Sequence, residues 1–269
     1  VDALQRLAAR AACGVVNTWG AKGVFRWDSP HHFGTAGLQA DDFVLAGFGD
    51  AEIVIAVGLD PLESPPERWA FGQVLDVEPS QLATLVEHWS PPTADVPPYP
   101  PLYQRLSSAL APLYADESVP LNPAQAAASL GRLRPAGALV AADPGPAGLW
   151  IARTLPTTET ASVLVPSRPV TGFAAAAGVV SSLDGRPSIS VVSGGVDEAT
   201  QAVVELANRW GAQLVVEVWG DDGVDVTADR ADTIAGALDA KATIVSPVAV
   251  DFSATSVLEA VAGPVVAWT

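Results

Sequence analysis

Apolar residues in this chain fall into two kinds of run. Short blocks rich in Val, Ile and Ala are bounded by Gly, Asp or Pro: Glu52–Gly58, Val74–Val77, Ala138–Ala142, Ser162–Val165, Ser188–Val192, Leu214–Val218 and Thr243–Val245. Continuous apolar blocks of this length are strands of a parallel sheet covered on both faces. Gly14–Asn17 reads as an earlier strand and Pro264–Trp268 as a last one. Between these blocks lie alanine-rich stretches that predict helices over Ala3–Ala12, Ala40–Ala46, Pro79–His88, Leu102–Tyr114, Pro123–Leu133, Gly148–Thr154, Gly172–Leu183, Asp197–Trp210, Ala231–Leu238 and Ser253–Val261. Asn122-Pro123 gives one of them a cap and a proline in its first turn. Alternation of this kind predicts an open, mostly parallel sheet with helices on both faces.

One segment breaks the pattern. Pro91, Pro92, Pro97, Pro98, Pro100 and Pro101 fall within a few residues of one another. Such a run suits neither a helix nor a central strand, so it reads as a stiff extended linker or surface crossing. It divides the chain into a unit at 1–90, a proline-rich linker and helix at 91–117, and a second unit at 118–269. The fold class is α/β, with two three-layer α/β units and mostly parallel sheets.

Composition narrows the function classes. The length of 269 residues suits two domains or one large one, and a 49% hydrophobic content supplies a sizeable core. A net charge of −16 argues against nucleic acid as a partner, because a phosphate-tracking protein needs a basic face. It also disfavours anionic membrane surfaces. The single cysteine, Cys13, excludes an internal disulfide framework and a cysteine-rich zinc site. No apolar stretch approaches the ~20 residues of a bilayer crossing, and the first twelve residues do not form a signal peptide. A cytoplasmic location is the simplest expectation.

Generic motifs do not identify a function. Gly47-Phe48-Gly49-Asp50-Ala51-Glu52 starts like a dinucleotide fingerprint but lacks the third glycine. It also precedes a strand, whereas phosphate binding needs a helix N-terminus, so it reads as a turn. Ser193-Gly194-Gly195 lies between a strand and a helix, where a nucleophile elbow or anion site would sit. The elbow's earlier glycine is Val191 here, and the bland reading is a Gly-rich turn. His31-His32 are adjacent, diverge in an extended segment and read as exposed loop histidines. Asp221-Asp222-Gly223 is a carboxylate pair at a strand end, without further oxygen ligands. Cys13 reads as a small buried hydrophobe.

A longer pattern is more specific. Gly14-Val15-Val16-Asn17-Thr18-Trp19-Gly20-Ala21-Lys22-Gly23-Val24-Phe25, then Gly34–Gln39, then Ala51–Glu63 resemble the central domain of thiamine-diphosphate (ThDP)-dependent enzymes. With Pro66, Trp69 and Leu75-Asp76-Val77-Glu78, the likeness is strongest to the acetolactate synthase and 2-oxo acid decarboxylase branch. The second half is more distantly similar to the diphosphate-binding domain of that family. Asp143-Pro144-Gly145 with Trp150, Thr171-Gly172-Phe173 and Ser193-Gly194-Gly195 stand where the family holds its cofactor. The resemblance implies a partial Rossmann-like central domain, a ThDP-binding fold, and ThDP with Mg²⁺ as cofactors. It implies cofactor-binding roles for Asp143, Gly145, Thr171, Gly172, Ser193, Gly194 and Gly195, and metal binding for Asp221 and Asp222. It names no catalytic residue in this chain.

The departures shape the expectation. The family anchors its metal with Gly-Asp-Gly, and here that triplet is Ser193-Gly194-Gly195. The family's Met-Gly beside the cofactor ring reads Thr171-Gly172, and Pro146-Ala147-Gly148-Leu149 offers no polar side chain before Trp150. The pyrimidine-binding domain, which carries the ylid-generating glutamate, and the central domain's first strand are expected before Val1. The reading that follows is a degenerate, non-catalytic or auxiliary subunit, either a homo-oligomer or paired with a separate pyrimidine-domain chain. The alternatives are a split ThDP-dependent decarboxylase or carboligase of 2-oxo acids, active once paired, and a small-ligand (nucleotide) binding module.

Overall fold

A computed structural model describes residues 1–90, 95–220, 227–240 and 242–269. The first unit opens with α1 (Asp2–Ala11), whose face of Leu4, Leu7 and Ala8 turns inward. It continues through β1 (Val15–Thr18), β2 (His32–Ala36), the single turn α2 (Asp42–Leu45), β3 (Ile53–Val57), β4 (Gln73–Val77) and α3 (Leu82–His88). β1 pairs only with β2, and β3 only with β4, both in parallel. The first unit therefore holds two separate two-stranded sheets.

The second unit is a single parallel sheet. After α4 (Pro101–Ala115) and α5 (Pro123–Leu133) come β5 (Leu139–Ala142), α6 (Pro146–Thr154), β6 (Val163–Leu164), α7 (Phe173–Leu183), β7 (Ser188–Ser193), α8 (Glu198–Trp210), β8 (Leu214–Gly220), α9 (Thr227–Asp239), β9 (Thr243–Ala249) and α10 (Thr255–Ala262). The strand order is β6-β5-β7-β8-β9, all parallel. Alternating side chains sort the two faces, as the pleat requires. Val140, Ala142, Ile189, Val191, Val215 and Trp219 pack with α5, α6 and α9. Ala141, Val192, Leu214 and Val216 pack with α7 and α8. This is the expected three-layer arrangement.

Three sequence expectations are corrected. Pro264–Trp268 is not a strand: Val265 makes one isolated antiparallel bridge to Gln39, and the backbone N–H groups of Val266 and Ala267 donate to the Leu38 carbonyl. The tail thus straps the two units together instead of adding to the sheet. The stretch Ala40–Ala46 forms only the one turn of α2, because Gly47 follows in the left-handed region. His32 is not an exposed loop residue: it opens β2 and is buried, while His31 is half-buried with its Nδ1 2.8 Å from the Cys13 carbonyl.

The units meet across α6. Arg153 sends its guanidinium to both carboxylate oxygens of Asp42 at 2.8 and 2.9 Å, to the Thr35 carbonyl and to Gln39 Oε1. Both ends of this ion pair are fully buried. Gln39 Nε2 in turn donates to the carbonyls of Leu258 and Gly263. A second buried pair, Arg230 with Glu217 at 2.7 Å, ties α9 to β8, and Trp219 Nε1 also donates to Glu217. Among the described residues no helix is long and apolar enough to cross a membrane.

Candidate functional site

In an open parallel sheet, ligands sit outside the carboxyl ends of the strands where the winding reverses. Here the reversal lies between β5 and β7. The loop after β5 begins at Asp143 and the loop after β7 at Ser193, so the topology brings Asp143-Pro144-Gly145 beside Ser193-Gly194-Gly195. The Asp143 N–H donates to the Val191 carbonyl, and the Gly194 N–H donates to the Trp219 carbonyl of β8. These two bonds fix the loops to the strand ends. A Cβ on Gly145 would stand 3.8 Å from Ser193 Oγ.

The N-terminus of α7 enters the same crevice. Gly172 precedes it with φ +72, and a Cβ there would come within 3.0 Å of Ala199 Cβ at the start of α8. Only glycine meets both the backbone conformation and the close approach. The Asp143 carboxylate accepts from the N–H groups of Gly172 at 3.0 Å and Ala174 at 2.6 Å. Asp197 caps α8 in the same manner, accepting from the Thr200 N–H at 2.7 Å. Thr171 is exposed at the rim. The structure thus gathers Asp143, Gly145, Gly172, Ser193 and Gly194 at one end of the sheet. Asp221 and Asp222 lie outside the described residues.

The electrostatics of the crevice are acidic. Burial pushes the Asp143 carboxyl above its ordinary value, the helix N–H groups pull it down, and the nearby charge of Asp197 pushes it up again. Asp197 is the residue that sequence reasoning missed. Its signal was present, since Asp197-Glu198-Ala199-Thr200 has an acidic cap ahead of a helix.

The residues can be tested against a magnesium diphosphate. A phosphate at a helix N-terminus is held by free backbone N–H groups and the positive end of the helix dipole. At α7 the Asp143 carboxylate takes the N–H groups of Gly172 and Ala174, and at α8 Asp197 takes that of Thr200. At α6 the first position is Pro146, which has no N–H to give. Among the described residues no group of three or more His, Cys, Asp or Glu side chains converges to hold a metal ion. The described crevice therefore does not fit a metal-bridged diphosphate.

Comparison with known proteins agrees with the architecture. Residues 1–87 match the family model of the thiamine pyrophosphate enzyme central domain. No curated protein matches the sequence. Among solved structures, the chain resembles that of a protein isolated from Mycobacterium smegmatis and provisionally assigned as a thiamin diphosphate-dependent enzyme. The TM-score is 0.68 at 17% identity, covering 93% of this chain and 58% of that one. At that identity the likeness is one of fold, and this chain spans 58% of the other's length. Residues 1–87 thus match the central domain of thiamine pyrophosphate enzymes, and beyond them the likeness is one of fold.

Proposed function

We infer that this chain is a degenerate, non-catalytic or auxiliary member of that family, acetolactate synthase-like in architecture. One observation carries the reading. The helix N-termini that would receive an anionic cofactor group are capped by Asp143 and Asp197, while Ser193-Gly194-Gly195 stands where a metal-binding Asp would be. An anion entering there meets two carboxylates, whose repulsion adds to the cost of its desolvation. The residues are suited to holding the crevice closed and rigid. In this reading the chain contributes architecture and surface to an assembly.

Isothermal titration of the 269-residue chain with thiamine diphosphate and Mg²⁺ tests this. The expected result is no heat of binding at micromolar concentrations. Metal-dependent micromolar binding would overturn the reading and favour a second one: a split decarboxylase or carboligase of 2-oxo acids, completed by a pyrimidine-domain chain. That second reading draws on the coverage, since 42% of the structural relative has no counterpart here (100 minus 58). Its own check is co-purification with such a chain, followed by assay of pyruvate decarboxylation.

A further inference from the structure

A second cavity, in the second unit, shares no residue with the crevice. It encloses about 330 Å³, at the small end of the ~300–1,000 Å³ usual for ligand pockets. Gln125, Ser129 and Arg132 line it from α5, four and then three residues apart on one helix face. Arg230 lines it from α9, and Glu117 and Leu121 line it from the segment ahead of α5.

The walls are held by bonds that a ligand need not break. Arg230 donates to the Ala126 carbonyl at 3.1 Å and to Ser129 Oγ at 2.5 Å, which joins α9 to α5. Its charge is already matched by Glu217. The Leu121 N–H donates to the Ala249 carbonyl, and the Leu121 carbonyl accepts from the Asp251 N–H, which ties the other wall to the end of β9.

Two kinds of polar group are left over. The first is the Gln125 amide. The residue is only 6% exposed, yet its Oε1 has no hydrogen-bond partner. A buried acceptor left unpaired carries a free-energy cost that a bound donor would remove. The last torsion of a glutamine is broad, so the amide can turn either end to the cavity. Ser129 is not available in this way, because its hydroxyl donates to the Ala126 carbonyl and accepts from Arg230.

The second kind is a pair of charges. Glu117 and Arg132 are exposed, and neither forms an ion pair among the described residues. Arg132 belongs to the last turn of α5 and Glu117 lies ahead of its first, so opposite charges stand towards opposite ends of the helix. Leu121 and Leu133 add apolar surface. A bare anion would gain Arg132 and be repelled by Glu117, and a bare cation would meet the reverse. A wholly apolar molecule would leave the Gln125 amide unpaired.

We propose that this cavity binds a small zwitterion, a free amino acid or a dipeptide. Its carboxylate pairs with Arg132, its ammonium with Glu117 and Gln125 Oε1, and its apolar part rests on Leu121 and Leu133. The site asks nothing of thiamine diphosphate, so its success or failure is separate from that of the function proposed above.

The test is isothermal titration of the 269-residue chain with L-methionine and with alanyl-alanine, using acetate and ethylammonium as half-ligands. Saturable binding of at least one zwitterion at millimolar concentration or below is expected, and the tighter of the two assigns the source. Arg132→Gln and Glu117→Gln, both at exposed positions, are each expected to weaken that binding about tenfold, the loss of one charge-assisted contact. Gln125→Leu is expected to weaken it as well, while raising the urea midpoint of the ligand-free chain by removing an unpaired buried amide. No saturable binding of either zwitterion would overturn the proposal. So would acetate or ethylammonium binding as tightly as the zwitterion, or affinity unchanged in both Arg132→Gln and Gln125→Leu. A lowered urea midpoint in ligand-free Gln125→Leu would show the amide already satisfied and would overturn it too.

Discussion

Two buried bases near the junction of the units make the clearest residue-scale statement. Lys22 is buried, and burial first, with the charge of Arg153, pulls its amine from 10.5 down to about 7. His32 is likewise pulled from 6.5 to about 4, by burial and then by Lys22. Both pKa values are lowered on folding, so the unfolded chain binds more protons and stability falls as pH falls. For Lys22 the loss accrues from about 10.5 down to about 7 and then stays. For His32 it accrues from about 6.5 down to about 4. At 1.4 kcal/mol per pH unit these are upper bounds of about 5 and about 3 kcal/mol. Lys22→Met is therefore expected to raise the melting temperature by several degrees at pH 7, with the gain vanishing near pH 10.5, as calorimetry would read. His32→Gln is expected to flatten urea stability between pH 6.5 and 4.5. Neither effect was legible in the sequence. His32-Phe33-Gly34-Thr35-Ala36 has weak strand propensity, and α4 and α6 pack on it from far along the chain, α6 from more than a hundred residues away.

At the scale of elements, the strands and helices of the second unit were legible because both faces of its sheet are covered. Their apolar runs are continuous, and most ends fall within one or two residues of the expectation, while the last strand runs on to Ala249 and the helix before it starts at Thr227, four residues beyond the expected ends. The tail misled because Val265 and Val266 have strand propensity, yet β9 already ends the sheet and only Leu38 and Gln39 lie within reach. What the pattern did not disclose is how closely α7 sits on its sheet. Ser190 Oγ donates to the Ala174 carbonyl at 2.7 Å, and Ser188 Oγ to that of Gly178 at 2.9 Å. A Cβ on Gly178 would come within 2.5 Å of Leu214 Cδ1 and 2.7 Å of Ser190 Oγ. Helix propensity favours Ala over Gly by about 1 kcal/mol, but overpacking costs about 1–3. Gly178→Ala is expected to destabilise on balance by about 1–2 kcal/mol, read from its urea midpoint. An increase in stability would show that α7 moves outward at little cost.

For the whole molecule, Asp143, Gly145, Gly172, Ser193 and Gly194 are distant in the sequence, and topology gathers them at the sheet's reversal point. That Asp143 and Asp197 would face each other as helix caps depends on α7 and α8 starting side by side, which no linear spacing records. The coupling of the two units was equally hidden. It runs through Arg153 and Asp42, and through Trp19 and Trp268, which both donate to the Pro166 carbonyl. Arg153→Met alone leaves Asp42 charged and unpaired in the interior and is expected to cost about 3–5 kcal/mol. The double change Arg153→Met with Asp42→Leu is expected to recover most of that. Denaturation followed by tryptophan fluorescence checks both, and equal losses in the single and double variants would mean the pair is not an isolated unit.

The tail strap also sets a timetable. Gln39 bonds to Leu258 and Gly263, which lie 219 and 224 residues further along the chain. At the usual pace of translation, those partners follow Gln39 by roughly ten to forty-five seconds. Through that interval the first unit exists on the ribosome without its strap. The order of synthesis thus leaves the earlier-made unit waiting on the later one, and its exposure to aggregation and to chaperones is governed by how quickly α10 arrives.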